Sequence, residues 1–304
     1  KYVATSGAGE VDCATGGYCT GGMQIYYDAG AVGRTTTGGK DDCAHATDGM
    51  YPYSAPANKV VEKCYLTTTP GKYVATAGAG EVDCAPGGYC PGSIEVSFES
   101  IGGNNTCPIE YNNSAAGSTS IDDCYLETTP GAYVYMQGHG LDNCTNTSYC
   151  PGGVKVYYSG TSVDGHQVTG GSTLCISLGA FYTRSDGNHA SASTCYGTTS
   201  AGHYLANAAD ATESTCAAGG YCQGSVTVHY GSTGGRTICD AGMYSGNGAA
   251  ACVNVTAGYY NTGCGTNATG SVCGSPYAGG MISPGYYGAA GATSSQGSGK
   301  VNAG

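Results

Sequence analysis

The chain has 304 residues, a formal net charge of −11 and only 10% charged residues. This acidic, sparsely charged composition argues against nucleic acid and against an anionic membrane surface as partners. No apolar run approaches the ~20 residues of a membrane-spanning helix, so the sequence predicts no membrane span.

The composition also argues against one large hydrophobic core. The chain has no Trp and only two Phe, whereas Gly contributes 55 residues and Tyr 27. Tyrosine packs its ring but needs a partner for its hydroxyl, which suits thin, half-exposed structures. The 18 cysteines are typical of a disulfide framework that replaces a missing core. We therefore expect an oxidising location, either extracellular or on the cell surface.

The cysteines recur in four classes of position, which we name b, c, d and a in chain order and which define the repeats. Class b contains Cys13, Cys84, Cys144 and Cys216; class c contains Cys19, Cys90, Cys150 and Cys222; class d contains Cys43, Cys107, Cys175 and Cys239; class a contains Cys64, Cys124, Cys195 and Cys252. The predicted units are repeat 1 (1–64), repeat 2 (65–124), repeat 3 (125–195), repeat 4 (196–252), and a degenerate fifth unit with a Gly/Ser-rich tail (253–304), where Cys264 and Cys273 lie.

Each repeat carries the same elements in the same order. Residues 1–19 and 72–90 differ at only two positions, and a Gly/Tyr link joins class b to class c. Alternating Val, Ile and Tyr then predict short strands, and glycine-rich turns follow them. The predicted strands are MQIYY at 23–27, IEVSF at 94–98, VKVYY at 154–158 and VTVHY at 226–230.

Class a is followed by a third recurrent phrase, YLTTTPGKY at 65–73, YLETTPGAY at 125–133 and YGTTSAGHY at 196–204. Longer stretches between c and d, such as 159–173, are expected to be surface loops. Glycine is too frequent for helices. The sequence predicts an all-β or irregular β fold, with disulfide-stapled tandem repeats stacked into an elongated array and almost no helix.

Four cysteines in a repeat allow three disulfide connectivities, and the sequence leaves all three open. Closing the bridges within one repeat leaves no cysteine unpaired and makes Cys264 and Cys273 a pair. Pairing d with a is favoured because Cys107 and Cys124 flank the turn SAAG at 114–117 almost symmetrically. Class b would then pair with class c.

The phrase CYLTTTPGKYVATAGAGEVDCAPGGYCPG at 64–92 resembles cysteine-rich tandem repeats of large bacterial surface proteins. The segment CDAGMYSGNGAAAC at 239–252 more loosely resembles ephrin-receptor-like cysteine-rich repeats. The resemblance covers the chain from Lys1 to Cys252, and it implies stalks, adhesins and surface architecture. Repeat 3 departs from it with Thr and Ser between Cys144 and Cys150.

No catalytic group, metal site or cofactor is predicted, and the chain is not expected to be an enzyme. The six histidines fall at different repeat positions without a catalytic partner; they are His45, His139, His166, His189, His203 and His229. The turn GAGEVD at 7–12 and 78–83 lacks the lysine of a phosphate loop. Its carboxylates, Glu10 with Asp12 and Glu81 with Asp83, supply too few oxygens to hold calcium alone.

Covalent glycans are a further expectation. The acceptor pattern Asn-x-Ser/Thr occurs six times, at Asn104, Asn112, Asn143, Asn146, Asn254 and Asn267. A bridge at Cys144 would hinder modification of Asn143.

The resulting hypothesis is a structural subunit of an extracellular fibre or cell-surface assembly. Stacked repeats bury a small face on each neighbour, and repeat 1 starts without the phrase that follows class a elsewhere. A neighbouring subunit would supply that part, giving a homo-oligomer or a helical or linear polymer. The alternative is an adhesin stalk that binds a glycan or receptor through its variable loops.

Overall fold

A computed structural model describes residues 1–27, 34–159, 166–186, 188–208, 211–263, 275, 280–284 and 286–301. Within them the backbone forms twenty-five strands of two to four residues. The first thirteen are β1 (Gly17–Tyr18), β2 (Asp41–Asp42), β3 (Tyr65–Thr67), β4 (Lys72–Tyr73), β5 (Val82–Asp83), β6 (Gly88–Tyr89), β7 (Glu95–Ser97), β8 (Asn105–Thr106), β9 (Tyr125–Glu127), β10 (Ala132–Tyr133), β11 (Asp142–Asn143), β12 (Ser148–Tyr149) and β13 (Lys155–Tyr157). The others are β14 (Thr173–Leu174), β15 (Arg184–Ser185), β16 (Cys195–Thr198), β17 (His203–Tyr204), β18 (Ser214–Thr215), β19 (Gly220–Tyr221), β20 (Thr227–His229), β21 (Thr237–Ile238), β22 (Met243–Tyr244), β23 (Val253–Asn254), β24 (Tyr286–Tyr287) and β25 (Gly299–Lys300).

Helix is almost absent from the described residues, as the glycine content predicts. They contain one four-residue helix, α1 (Cys43–Ala46), and four 3-10 helices, at Val61–Lys63, Ile121–Asp123, Cys175–Leu178 and Ala192–Thr194. None of these is long and apolar enough to cross a bilayer. The prediction of an all-β, disulfide-rich fold is confirmed.

One tight turn recurs along the chain and accounts for much of the glycine. In the sequence Thr-Pro-Gly-Lys at 69–72, the Lys72 amide donates to the Thr69 carbonyl (3.0 Å) and Gly71 has a φ of 80°. Proline at the second position and positive φ at the third define a type II turn. A short strand ending in tyrosine follows the turn, as in β4.

Antiparallel ladders join the phrase after class a to the alternating run that follows class c. In repeat 2, β3 pairs with β7 and places Leu66 opposite Val96. The ladders β9–β13 and β16–β20 repeat the arrangement in repeats 3 and 4. Three of the four predicted strands are thereby confirmed. The prediction for 23–27 is wrong for the described residues, because no such phrase lies beside this run.

Eight disulfides are present among the described residues, and each closes a loop within one repeat. They join Cys13–Cys19, Cys43–Cys64, Cys84–Cys90, Cys107–Cys124, Cys144–Cys150, Cys175–Cys195, Cys216–Cys222 and Cys239–Cys252. This b–c and d–a pairing is the one that the turn at 114–117 favoured. The loop that the Cys107–Cys124 bridge closes contains the 3-10 helix Ile121–Asp123 as well as this turn. Cys264 and Cys273 lie outside the described residues.

The chain forms two compact bodies, each with a small core built around cystine and tyrosine. The first contains Lys1–Glu127, Tyr135–Gly140 and Lys155–Thr169, and the second contains Thr128–Val134, Leu141–Val154 and Gly170–Gly304. One buried cluster of the first body consists of Cys43, Tyr51, Cys64, Leu66, Val74 and Val96. Its counterpart in the second body consists of Cys175, Tyr182, Cys195, Leu205 and Val228. The stacking of repeats into an elongated array remains a prediction.

Candidate functional site: the joint between repeats

The phrase after class a, which we call the arm, contains one buried threonine that forms two hydrogen bonds with the first residue of the run. We call this pair of hydrogen bonds the clasp. The arms are residues 65–71, 125–131 and 196–202. The Thr68 amide donates to the Ile94 carbonyl (2.9 Å), and the Ile94 amide donates to Thr68 Oγ1 (3.1 Å). Thr128 with Val154, and Thr199 with Val226, form the same two bonds. All three threonines are 3% exposed, so each clasp is shielded from water.

Each of these joints is completed by a tyrosine from the preceding d–a loop, which we call the anchor. The anchor Tyr51 is fully buried, and its hydroxyl donates to the Ala79 carbonyl (2.5 Å). Its ring meets Phe98, the last residue of the run, edge to face at 5.3 Å and 87°, a favourable aromatic geometry. Burial raises the pKa of the Tyr51 phenol.

The anchor is repeated twice. Tyr111 is 1% exposed, donates to the His139 carbonyl and packs on Tyr158 at 5.3 Å. Tyr182 is fully buried and packs on Tyr230 at the same distance. Burial is also the main cause that raises the pKa of the Tyr111 phenol. The anchor, the arm and the run therefore form one recurrent joint.

A glutamate from the GAGEVD turn holds the end of the arm. Glu81 accepts from the Thr69 amide (2.5 Å) and from the Thr69 hydroxyl. In repeat 4, Glu213 accepts from the Ser200 amide (2.6 Å) and hydroxyl (2.9 Å). Hydrogen bonds to a carboxylate are stronger than those between neutral groups.

Repeat 1 contains the counterparts of the run and of the glutamate turn, and no arm pairs with this run among the described residues. Its groove has a volume of about 400 Å³ and is lined by Val3, Ala8, Glu10, Met23, Ile25 and Tyr27, among others. Tyr27, the counterpart of Phe98, is 82% exposed. Ile25 is half-buried, whereas its counterparts Val96 and Val156 are at most 3% exposed. The run residues that are covered in repeats 2 and 3 are therefore more exposed in repeat 1.

The framework of the repeat 1 groove matches that of the filled ones. Val3 exchanges backbone hydrogen bonds with Gly38 (3.0 and 2.9 Å), as Val74 does with Gly102 (2.9 and 3.1 Å). Glu10 stands at the position of Glu81 and is exposed. The groove is thus already formed without the arm.

A glycine at the edge of the groove marks where the arm fits. A Cβ on Gly92 would lie 2.6 Å from the Pro70 nitrogen. A Cβ on Gly152 would lie 2.6 Å from the Pro130 nitrogen. At the equivalent Gly21, no described atom lies within 4 Å of the Cβ position. The space that proline occupies in the filled joints is therefore open in repeat 1.

The residues that the sequence singled out for chemistry occupy separate places. Asp83 pairs with Lys72 at 2.9 Å on the surface, and the described residues contain no group of three His, Cys, Asp or Glu that could hold a metal. Of the glycan acceptors, Asn104, Asn112, Asn143, Asn146 and Asn254 are exposed. Asn267 lies outside the described residues.

The histidines likewise form no common site. His45 and His139 are exposed, and the other four are partly buried. The ring of His229 contacts Asp186 at 3.0 Å, and the ring of His166 stacks on Tyr157 at 3.8 Å. These contacts lie on the surface of the joints rather than in a shared cleft.

The anchor tyrosines are the functional residues that sequence reasoning missed. They share the pattern Tyr-x-x-Ser, found at 51–54, 111–114 and 182–185. The serine is also structural, since Ser54 donates to the Gly17 carbonyl (2.7 Å) and Ser114 to the Gly88 carbonyl (2.6 Å). In repeat 4 the pattern becomes GMYS at 242–245, so glycine stands in the anchor position.

The start of the fifth unit keeps the backbone pattern of classes b and c without their cystine. The Val255 amide donates to the Gly242 carbonyl (2.9 Å), and the Gly242 amide donates to the Asn261 carbonyl (2.8 Å). In repeat 2, Cys84 donates to Gly71 and Gly71 donates to Cys90 in the same way. Val255 and Asn261 are buried at 0% and 1% exposure. A valine and an asparagine thus occupy the positions of classes b and c.

Comparisons with protein-family models, with curated proteins and with solved structures give no significant match to this chain. The resemblance to cysteine-rich repeats of bacterial surface proteins remains a hypothesis based on the quoted phrases.

Proposed function

We propose that the chain is a structural subunit of an extracellular fibre or cell-surface assembly, in which disulfide-stabilised repeats associate through chain ends. The observation that supports this proposal is the joint of arm, run and anchor, which recurs three times among the described residues. The eight disulfides are compatible with an oxidising, extracellular location.

Apolar side chains are also exposed among the described residues from 281 to 301. Met281, Tyr287 and Val301 are 72%, 54% and 60% exposed. The proposal includes a homo-oligomer or a linear polymer, with covalent glycans on the exposed asparagines.

Electron microscopy of the native, unreduced protein across a concentration series tests this proposal. We expect regular filaments whose number rises with concentration. Isolated particles at every concentration would contradict assembly and would favour the adhesin stalk. A glycan array would then test binding through the loops between classes c and d.

A further inference from the structure

We infer that a pocket at the joint between repeats 3 and 4 binds a neutral saccharide through one pyranose ring. The pocket has a volume of about 450 Å³, which lies in the range of small-ligand sites. The inference goes beyond the proposed function, because this site needs no contact between copies of the chain. Its lining, from the d–a loop of repeat 3, the arm of repeat 4 and the glutamate that holds this arm, includes Phe181, Thr183, Arg184, Tyr196, Thr198 and Glu213.

The apolar side of the pocket depends on a substitution in the arm. Gly197 stands where the other two arms have the buried residues Leu66 and Leu126. A Cβ on Gly197 would lie 2.6 Å from the ring of Phe181, so this ring lies where a leucine side chain would clash. Phe181 and Tyr196 are both half-buried, and each leaves part of its ring exposed. Such rings offer apolar faces on which the C–H face of a pyranose packs.

The polar side of the pocket has one cation and one anion. Arg184 takes the place that Tyr53 and Asn113 have in the earlier joints, since each pairs with the first tyrosine of the next arm. Arg184 is exposed and forms no ion pair with another described residue. The carboxylate of Glu213 is held by the amide (2.6 Å) and hydroxyl (2.9 Å) of Ser200. The pocket therefore has a free guanidinium beside a fixed carboxylate.

This combination of groups fits a neutral sugar. Arg184 only donates hydrogen bonds and the Glu213 carboxylate only accepts them, whereas the hydroxyls of Thr183 and Thr198 do both. Sugar hydroxyls need donors and acceptors together. The two charges of the lining cancel, and the chain has a net charge of −11, which disfavours an acidic saccharide.

Nuclear magnetic resonance on the ¹⁵N-labelled, unreduced full chain tests the inference. The probes are four neutral oligosaccharides, namely cellotriose, mannotriose, galactotriose and chitotriose. We expect saturable shifts of the amides of Thr183, Gly197 and Thr198 with at least one of them. The amides of Leu66 and Thr67, at the matching positions of the first arm, are internal controls and should not shift. Sorbitol, which has hydroxyls but no ring, should leave all five amides unchanged.

Matched variants locate the bound sugar. Arg184→Gln removes a charged donor and should reduce affinity about tenfold. Tyr196→Leu keeps an apolar side chain but removes the flat ring, and we expect a similar loss. Arg34→Gln, at an exposed arginine of repeat 1, is the control and should leave affinity unchanged. The Leu205 amide, which donates to the Gly234 carbonyl (2.9 Å), should keep its position in each variant and so reports an intact fold.

The absence of shifts with all four sugars, or equal shifts with sorbitol, would overturn the inference. Unchanged affinity in both Arg184→Gln and Tyr196→Leu would overturn it as well, because the sugar would then bind elsewhere. Either result would leave the proposed assembly of the chain untouched.

Discussion

Replacing the anchor Tyr51 by alanine removes the side chain that fills the joint between repeats 1 and 2. Truncation of a buried aromatic residue costs about 3–5 kcal/mol. Of this, about 0.5–1.5 kcal/mol belongs to the hydroxyl bond to Ala79 and a similar amount to the edge-to-face contact with Phe98. Tyr51→Phe should therefore cost only about 1 kcal/mol, because the ring remains.

Native-state hydrogen exchange is the suitable assay, because repeats open locally and a single unfolding transition is not assured. The amides of Phe98 and Gly78 report on the joint, since they donate to the carbonyls of Cys64 (2.8 Å) and Phe98 (2.6 Å). Tyr287→Ala, at a 54% exposed position, is the matched control. The reasoning is refuted if Tyr51→Ala lowers the local opening free energy by less than about 1.5 kcal/mol.

Three further predictions concern the clasp, the disulfides and alkaline pH. Thr68→Val should lower the free energy of local opening at the Ile94 amide by about 1–3 kcal/mol in hydrogen exchange, because this buried amide loses its acceptor. Thr67→Val, at an exposed position, is the control and should change this free energy little. Alanine at both the d and a cysteines of repeat 2 should cost about 3.1 kcal/mol, against about 2.2 kcal/mol for b and c, because the bridges span 17 and 6 residues. Denaturant titration compares the two variants. Burial raises the pKa of Tyr51 and Tyr111, so above about pH 10 the unfolded chain has lost protons that the folded chain keeps. The free energy of unfolding should therefore fall as the pH rises. Denaturant midpoints at several pH values measure this fall.

Each of these expectations has a clear contrary outcome. An unprotected Ile94 amide in the unmodified chain would show that the clasp is absent. Equal losses for the two disulfide pairs would argue against an entropic origin of their stabilisation. An unchanged alkaline profile in a Tyr51→Phe, Tyr111→Phe double variant would assign the pH dependence to other groups.

The sequence predicts the local parts of this fold well. The alternating runs at 94–98, 154–158 and 226–230 form strands because period-two patterns of Val, Ile and Tyr fit a half-buried ladder. The turn Thr-Pro-Gly-Lys at 69–72 follows directly from the backbone preferences of proline and glycine. Both depend only on residues close together in the chain.

The joint was harder to predict because its partners are far apart. Thr68 reads as an ordinary turn residue until Ile94, 26 positions further on, lies beside it. The anchors Tyr51 and Tyr111 stand at different distances from class d, so an alignment on cysteines separates them. Only their constant spacing to Ser54 and Ser114 reveals the pattern. The run at 23–27 shows the converse, since its composition predicts a strand but no strand pairs with it among the described residues.

The most direct test of the account is cryo-electron microscopy of the native, unreduced assembly at a resolution that traces the backbone of repeat 1. The account predicts regular filaments with an axial repeat, in which the chain keeps its joints of arm, run and anchor. A native protein that forms no assembly would contradict it.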